Sequence, residues 1–183
     1  DADVYGPSIP RMLGITGQPV SHDGKRLEPM ENHGIKCMSI GFLVEEDTAM
    51  IWRGPMVMGA LEQLMRDVNW GELDILVVDM PPGTGDIQLT LAQQMPVSAA
   101  VIVTTPQDLA VADASKGIAM CNKVDVPVLG LIENMSLYIC PKCGHQEHIF
   151  AQDGGVELAK RNKVPLLGQL PLNIKIRQHT DEG

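Results

Sequence analysis

The chain has 183 residues, of which 44% are hydrophobic, and its 14 Lys and Arg against 23 Asp and Glu give a formal net charge of −9. This length suffices for one globular domain, and an acidic chain without a basic cluster is a poor candidate for binding the phosphate backbone of nucleic acids. No apolar run approaches the roughly 18 residues of a membrane span.

The apolar pattern alternates between strand-like and helix-like segments. In chain order it predicts a strand at 35–44, a helix at 55–68, a strand at 73–80, a helix at 85–95, a strand at 99–105, a helix at 107–122, a strand at 126–134, a helix at 154–162 and a strand at 164–171. Apolar strands that alternate with helices predict an α/β fold, with a mainly parallel sheet and helices on both faces. Ligands of such sheets bind beyond the carboxyl ends of the strands, so the loops there are the candidates for function.

The loop after the predicted strand at 73–80 favours a nucleotide site. Asp79 ends that strand, where a carboxylate can hold hydrated Mg²⁺ against phosphates. Gly83 and Gly85 follow, and glycine lets backbone N–H groups approach a phosphate. The alternative is an ordinary turn in which Asp86 begins the next helix. No G-x-x-x-x-G-K-[ST] string occurs in the 183 residues, so if the chain belongs to a P-loop protein we expect its phosphate-binding loop to precede residue 1.

Two other loops carry polar residues suited to nucleotide chemistry. Asp1 and Asp3 alternate in the opening loop, where one could orient water towards a γ-phosphate, although on their own a solvated acidic turn explains them better. Asn134 ends the strand at 126–134, and its amide offers both a donor and an acceptor to a base. Capping of a turn is an equally good explanation for Asn134.

Cys140 and Cys143 form the segment CPKCG, in a loop at about 135–150. Two thiolates three residues apart can converge on one metal ion. Pro141 and Gly144 favour a loop, whereas redox pairs of this spacing usually lie at the start of a helix.

The chain supplies no obvious second pair of sulfur ligands. Cys37 and Cys121 lie in predicted secondary structure and are expected to be buried apolar residues, and His145 follows Cys143 too closely for a comfortable tetrahedron. A symmetric dimer would bring four sulfurs to one site, suited to zinc or to a [4Fe–4S] cluster. The cysteine pattern predicts no disulfide framework and favours a reducing compartment.

With these motifs, the chain resembles the Mrp/ApbC family of iron–sulfur cluster carrier ATPases, which are deviant P-loop ATPases. The resemblance covers essentially all 183 residues and is specific through the combination of its motifs. They are DADVYGPSIPRMLG (1–14), MSIGFL (38–43), WRGPMV (52–57), DMPPGTGD (79–86), TTPQDLA (104–110), ENMS (133–136), CPKCG (140–144) and GQLPL (168–172). It implies a three-layer P-loop NTPase-like fold, with residues 1–183 forming one partial nucleotide-binding domain that is truncated at both ends.

The resemblance also implies roles for single residues. Asp3 and Asp79 would be catalytic, with Asp3 near the attacking water and Asp79 on the side of Mg²⁺. Cys140 and Cys143 would hold a [4Fe–4S] cluster shared between two subunits. The residues implied to bind ATP are Asp1, Gly83, Gly85, Asn134, Pro171 and Leu172, of which Asn134 would contact adenine and the last two would close over the base.

The implied activity is transient binding of a cluster and its transfer to apo iron–sulfur proteins, coupled to ATP binding or hydrolysis, with cluster scaffold proteins as further partners. The location would be a bacterial-type cytoplasm, or a mitochondrial matrix if a targeting segment preceded residue 1. The alternatives are a nucleotide-dependent assembly or partition switch with a structural zinc at a dimer contact, and an α/β domain whose CxxC is incidental.

The chain departs from the family pattern in three places. Without the phosphate-binding loop, it is not expected to hydrolyse ATP as given. Ala151 replaces the glycine that usually follows Phe150, and the family's C-terminal helix is expected to be missing. Trp52 and Arg53 match the pattern but receive no proposed role.

Overall fold

The computed structural model describes residues 1–44, 54–83 and 85–183, so Trp52, Arg53 and Thr84 lie outside the described residues. The chain divides into two compact units, which are taken one at a time. Unit 1 comprises residues 1–82 and 177–183, and unit 2 comprises residues 83–176. Within the described ranges, no helix has both the length and the apolar character required to cross a membrane.

Unit 1 combines short helices with one small hairpin. Its elements are helix α1 (Ile9–Met12), strands β1 (Met30–Asn32) and β2 (Ile35–Cys37), a 3₁₀ helix at Ile40–Phe42 and helix α2 (Gly54–Arg66). Strands β1 and β2 are antiparallel, with Met30 opposite Cys37. Helix α2 confirms the helix predicted at 55–68. It buries Val57, Leu61 and Leu64, which recur at the three- and four-residue spacing of one helix face.

The strand predicted at 35–44 is wrong beyond residue 37. Only Ile35–Cys37 pairs as a strand, and the chain then turns into the 3₁₀ helix. Ser39 causes the change, because its buried Oγ accepts a hydrogen bond from the Gly41 N–H at 3.1 Å and so caps the 3₁₀ helix. A local side-chain bond has therefore replaced the strand ladder.

The strand predicted at 73–80 is also absent, because this segment has no ladder of hydrogen bonds to a neighbouring strand among the described residues. Ile75 and Val77 are 78% and 81% exposed, although the continuous apolar run at 75–78 is typical of a buried strand. One backbone bond, from Ala2 N to Asp79 O at 2.8 Å, holds the end of the segment. A buried strand needs neighbours as well as a suitable sequence.

Unit 2 contains a three-stranded parallel sheet in the order β3-β4-β7. The remaining elements of the chain are helix α3 (Asp86–Gln94), strand β3 (Ala100–Thr104), helix α4 (Asp108–Lys123), strands β4 (Val128–Glu133), β5 (Tyr138–Ile139) and β6 (Gln146–Glu147), helix α5 (Gly154–Asn162), strand β7 (Leu166–Gln169) and helix α6 (Ile174–Glu182). The strands and helices predicted between 85 and 171 are confirmed, and α5 has the predicted bounds. Helix α6, which begins in unit 2 and continues into unit 1, was not predicted.

The core of unit 2 lies between the sheet and the helices α4 and α5. Ile118 of α4, Leu131 of β4 and Leu158 of α5 are almost completely buried and pack together. Val101 and Val103 of β3 are exposed, whereas Ile102 between them packs against this core. Helices α4 and α5 therefore lie against the face of β3 that Ile102 presents.

The loop before α5 has an unusual backbone. A Cβ on Gly154 would lie 2.3 Å from the carbonyl oxygen of Pro106, so only glycine fits there. Ala151 has φ = 107°, in the region that favours glycine, and Asp153 at the N-cap of α5 has φ = 59°. The position at which this chain departs from the family pattern is therefore one that strains an alanine.

We expect the Ala151→Gly substitution to raise the free energy of unfolding by about 1 kcal/mol. Relief of roughly 1–3 kcal/mol of backbone strain outweighs the roughly 0.4–1 kcal/mol of added entropy in the unfolded chain. Urea unfolding measures the change. The matched control, Ala112→Gly on an exposed position of α4, should lose about 1 kcal/mol. A loss of stability in both variants would contradict the assignment of strain.

Candidate nucleotide and metal sites

The opening loop of unit 1 is organised by the carboxylate of Asp1. Its Oδ2 accepts hydrogen bonds from Ser39 Oγ at 2.9 Å and from Ile9 N at 3.3 Å, and its Oδ1 accepts one from Asp3 N at 3.2 Å. Ser39 is fully buried, and Ala2 between the two acids is also buried. The Asp1 side chain therefore holds the shape of the loop, since both of its oxygens bind protein groups.

The carboxylates of Asp3 and Asp79 accept fewer hydrogen bonds from the protein than that of Asp1. Asp3 Oδ1 accepts from Tyr5 N and Gly6 N at 3.2 Å each, whereas Oδ2 has no donor among the described residues. Asp79 is exposed, and its carboxylate accepts no hydrogen bond in the same described part of the chain. The Ala2 N bond to Asp79 O joins the backbones next to both acids. Both carboxylates thus retain oxygens for water or for a cation.

Gly83 and Gly85 lie in unit 2, directly before α3. Gly83 has φ = 97°, which requires glycine, and Gly85 is the N-cap of α3 with an extended backbone. A Cβ on Gly85 would meet the side chain of the buried Gln88 at 3.4 Å. The N-terminus of a nine-residue helix follows at once, so its N–H groups are suited to an anion. The prediction that Asp86 begins the helix is confirmed.

Asn134 follows β4, and its backbone N donates to Thr104 O at 2.7 Å. Its Oδ1 accepts from Met135 N at 2.9 Å, which supports a left-handed Met135 with φ = 53°. This is the turn-capping role that the sequence left open. The Nδ2 group of Asn134 has no acceptor among the described residues and is available to a ligand.

Pro171 and Leu172 follow β7 and are partly buried. Their backbone lies next to the chain that follows Asn134, because Ser136 N donates to Leu170 O at 2.9 Å and Leu172 N donates to Leu137 O at 2.8 Å. The residues predicted to bind a base therefore come together in unit 2 at the carboxyl ends of β4 and β7. Asp1, Asp3 and Asp79 lie together in unit 1.

Cys140 lies in the turn of the β5–β6 hairpin. Cys140 N donates to His145 O at 2.8 Å, Gly144 N donates to Cys140 O at 2.9 Å, and Gly144 takes φ = 72°. The N–H groups of Cys143 and Lys142 point to the Cys140 sulfur and lower the pKa of this thiol. Backbone donors around a sulfur stabilise the thiolate, which is the form that binds metals.

Cys140 and Cys143 are free to bind a metal, whereas the ring of His148 is hydrogen-bonded within the fold. Cys143 is exposed next to Cys140, and both are free thiols. The Nδ1 of His148 donates to Ser136 O at 2.9 Å, so this ring is already engaged in the fold. Among the residues that the structure describes, no group of three or more His, Cys, Asp and Glu is placed to hold a metal ion. One copy of the chain thus presents two free thiols in this turn.

Cys37 and Cys121 confirm the prediction of buried apolar residues. Each is 6% exposed, and burial raises the pKa of both thiols. Their pKa values are thus raised, whereas the pKa of Cys140 is lowered, and a lowered pKa favours the thiolate.

The sequence analysis missed Glu133, the last residue of β4. It is 1% exposed, and its Oε2 accepts from Gly155 N at 2.6 Å while its Oε1 accepts from Gln169 Nε2 at 2.8 Å. Its carboxylate thus satisfies the N-terminus of α5 and binds the end of β7. An acid at the end of the apolar run VLGLIE was the signal that could have revealed it.

Comparison with known proteins places this geometry in a family. A family model described as ParA, NUBPL iron-transfer P-loop NTPase matches residues 1–183. The chain is 55% identical over 183 residues to the iron–sulfur cluster transfer protein NUBPL of Mus musculus, covering all of this chain and 57% of that protein. It is 57% identical over 184 residues to the iron–sulfur cluster carrier protein of Escherichia coli K12, covering all of this chain and 50% of that protein.

A solved structure agrees with the fold. It is described as a nucleotide-binding protein from Archaeoglobus fulgidus in complex with ADP, with cobalt found in it, and it is similar to this chain with a TM-score of 0.83 and 38% identity over 99% of this chain and 71% of that one. This similarity confirms the predicted α/β P-loop NTPase-like fold. The chain spans about half the length of the curated relatives it matches.

In metal-free native protein at neutral pH, we expect an alkylating reagent to modify Cys140 and the exposed Cys143 well before Cys37 and Cys121. The lowered pKa of Cys140 enriches its thiolate, whereas burial shields the other pair and raises their pKa. Peptide mass spectrometry after short exposures measures the order. The rate at Cys140 should also persist to lower pH than that of glutathione. Labelling of Cys121 as fast as Cys140 would contradict this.

We expect Glu133→Gln to lower the free energy of unfolding by about 1–3 kcal/mol, because an amide has one oxygen and leaves either Gly155 N or Gln169 Nε2 without an acceptor. Urea unfolding of the whole chain, monitored by circular dichroism, measures the loss. The control is Glu147→Gln on the exposed strand β6, which should change stability by less than about 0.5 kcal/mol. Equal effects would show that Glu133 makes no special contribution.

Proposed function

Because the chain belongs to the NUBPL iron-transfer P-loop NTPase family, we propose that the protein carries an iron–sulfur cluster on Cys140 and Cys143 and transfers it to apo iron–sulfur proteins. The observation that carries the proposal is the CPKCG turn, which the Cys140 N bond to His145 O and the Gly144 N bond to Cys140 O close, so that two free thiols lie in one turn. A site whose thiolate is stabilised before metal arrives favours binding of soft metal centres. The cluster is the cargo of the protein.

Two thiolates from one chain leave half of a four-sulfur site to be filled. We propose that a second copy supplies the other two, so that a [4Fe–4S] cluster is shared in a homodimer. The exposure of Cys143 is consistent with this arrangement, because a shared site must lie at the surface of each subunit. The exposed Cys143 also suits release, since an acceptor protein can approach the cluster there and exchange its own ligand for this thiolate.

We propose that ATP with Mg²⁺ is the second ligand and that residues 1–183 belong to one nucleotide-binding domain. Asp79 would hold water molecules around Mg²⁺, and the free Oδ2 of Asp3 would orient the attacking water. Asp1 would act by holding the loop that carries Asp3, as its three hydrogen bonds indicate. Hydrolysis would also need a phosphate-binding loop, which these 183 residues do not contain, and the chain as given would be inactive.

The remaining groups would bind the other parts of the nucleotide. Gly83 and Gly85 would let the backbone approach a phosphate. The unpaired Nδ2 of Asn134 would donate to an acceptor nitrogen of adenine, with Pro171 and Leu172 over the base. We propose a bacterial-type cytoplasm or a mitochondrial matrix as the compartment, and cluster scaffold proteins as the source of the cargo.

Anaerobic reconstitution of the complete protein with iron and sulfide tests the proposal. We expect a brown dimer with about four irons and four sulfides per two chains. The cluster should be lost in the Cys140→Ser/Cys143→Ser variant. The Cys121→Ala variant is the control and should retain it, because that buried thiol lies on α4. Absorbance, metal and sulfide analysis and mass in solution are the measurements.

Tightly bound zinc without uptake of a cluster would instead favour the alternative, a nucleotide-dependent switch with a structural metal. In that case the dimer would survive exposure to air, because zinc has no redox chemistry. A double variant that still binds iron and sulfide like the parent would show that the CxxC is incidental.

A further inference from the structure

Resting on the function proposed above, we propose that Ser136 and residues 170–172 form a latch that couples the nucleotide base position to the metal hairpin. The hairpin here means residues 138–147, with Cys140 and Cys143 in its turn. These latch residues are hydrogen-bonded to one another and to the chain on either side of the hairpin.

The first part of the latch is a pair of hydrogen bonds that one residue donates to a single carbonyl oxygen. Ser136 N and Ser136 Oγ both donate to Leu170 O, at 2.9 Å and 3.1 Å. Ser136 is 3% exposed, so these bonds are shielded from competition with water. Ser136 lies two residues after Asn134, and Leu170 directly precedes Pro171. One buried side chain therefore connects the two segments assigned to the base.

The second part continues from these segments into the hairpin. Leu172 N donates to Leu137 O at 2.8 Å, and Tyr138 of β5 forms a parallel bridge with Leu172. Cys140 comes two residues after Tyr138. After the return strand, His148 Nδ1 donates to Ser136 O at 2.9 Å. The chain is thus bonded to the latch at both ends of the hairpin, through Tyr138 at its start and through His148 directly after its end.

The hairpin depends on these bonds for its order. Strands β5 and β6 pair through only two residues each, Tyr138 with Glu147 and Ile139 with Gln146. An isolated two-stranded hairpin is at best marginally stable in water. Most residues between 141 and 149 are exposed and bring little apolar burial. In the proposed latch the hairpin exchanges between two arrangements, docked on residues 170–172 as in the structure or released from them.

The two ligands would act on the same equilibrium. A base held by Asn134 and covered by Leu172 would fix residues 170–172, and these are the residues on which the hairpin docks. A metal centre held by both Cys140 and Cys143 favours the docked hairpin, because both ligands lie in the turn that the Cys140 N bond to His145 O and the Gly144 N bond to Cys140 O close. Two ligands that prefer the same arrangement strengthen each other's binding by equal factors.

The test uses the complete protein and measures affinity for Co²⁺, through its thiolate charge-transfer absorbance, with and without saturating MgADP. We expect MgADP to tighten Co²⁺ binding about fivefold or more, within the usual range of coupling between sites. Ser136→Ala, which removes the Oγ bond and keeps the N–H bond, should bring this ratio towards one. The matched control Ser98→Ala, at an exposed loop position, should keep the parent ratio.

A second measurement needs neither metal nor a Ser136 variant. In the Cys140→Ser/Cys143→Ser protein, MgADP should slow hydrogen exchange of the backbone amides between residues 136 and 148. Unchanged exchange there despite ADP binding, or equal Co²⁺ affinities with and without ADP in the parent protein, would overturn the coupling while leaving both ligand sites in place. Failure to bind ADP at all, or Co²⁺ at all, would overturn the site assignments and the coupling with them.

Discussion

The buried carboxylate of Glu133 is the constraint on which unit 2 depends. Its two oxygens bind the N-terminus of α5 and the side chain of Gln169, so one residue at the end of β4 holds the neighbouring strand and a covering helix. A buried carboxylate is tolerated only when both of its oxygens are satisfied by hydrogen bonds. The close approach of Gly155 to Glu133, where a Cβ would lie 2.9 Å from Oε2, shows how closely the helix and strand fit. Asn134 takes its position from this arrangement.

The metal hairpin follows a different principle. Where Glu133 is held by burial, Cys140 is held by the backbone of its own turn, with the left-handed Gly144 closing the loop. Such a site can be exposed and still favour the thiolate, because its hydrogen-bond donors belong to the adjacent residues. That combination suits a ligand that must be both bound and released, whereas a deeply buried site would favour retention.

Much of unit 2 could be predicted from the sequence because its elements satisfy the local rules. The segment 154–162 has glycine at its start and helix spacing throughout, and α5 has those bounds. The same local rules predict strands at 73–80 and 35–44 that the structure does not form as predicted. The first has the composition of a strand but no partner among the described residues, and the second is interrupted by a single serine hydroxyl.

The site was predictable to a similar extent. Residue type and spacing single out the CxxC turn, the glycine loop and Asn134 as candidates, but they leave an ordinary turn as the alternative for the last two, and the structure adds how each is held. Ser136 could not be found from the sequence, because its partner Leu170 lies 34 residues away and contributes only a carbonyl group. Asp1 illustrates the same difficulty, since its hydroxyl partner Ser39 is 38 residues away and its role in shaping the loop follows only from that contact.

The segment at 73–80 also has a consequence for handling the protein. Ile75 and Val77 present β-branched side chains to water on a backbone without a neighbouring strand in the described part of the chain. An exposed run of such residues favours β-pairing with another copy of itself, which leads to aggregation rather than to a closed dimer. Turbidity of the chain at rising concentration would therefore originate there, and charged substitutions at these two positions are the natural remedy.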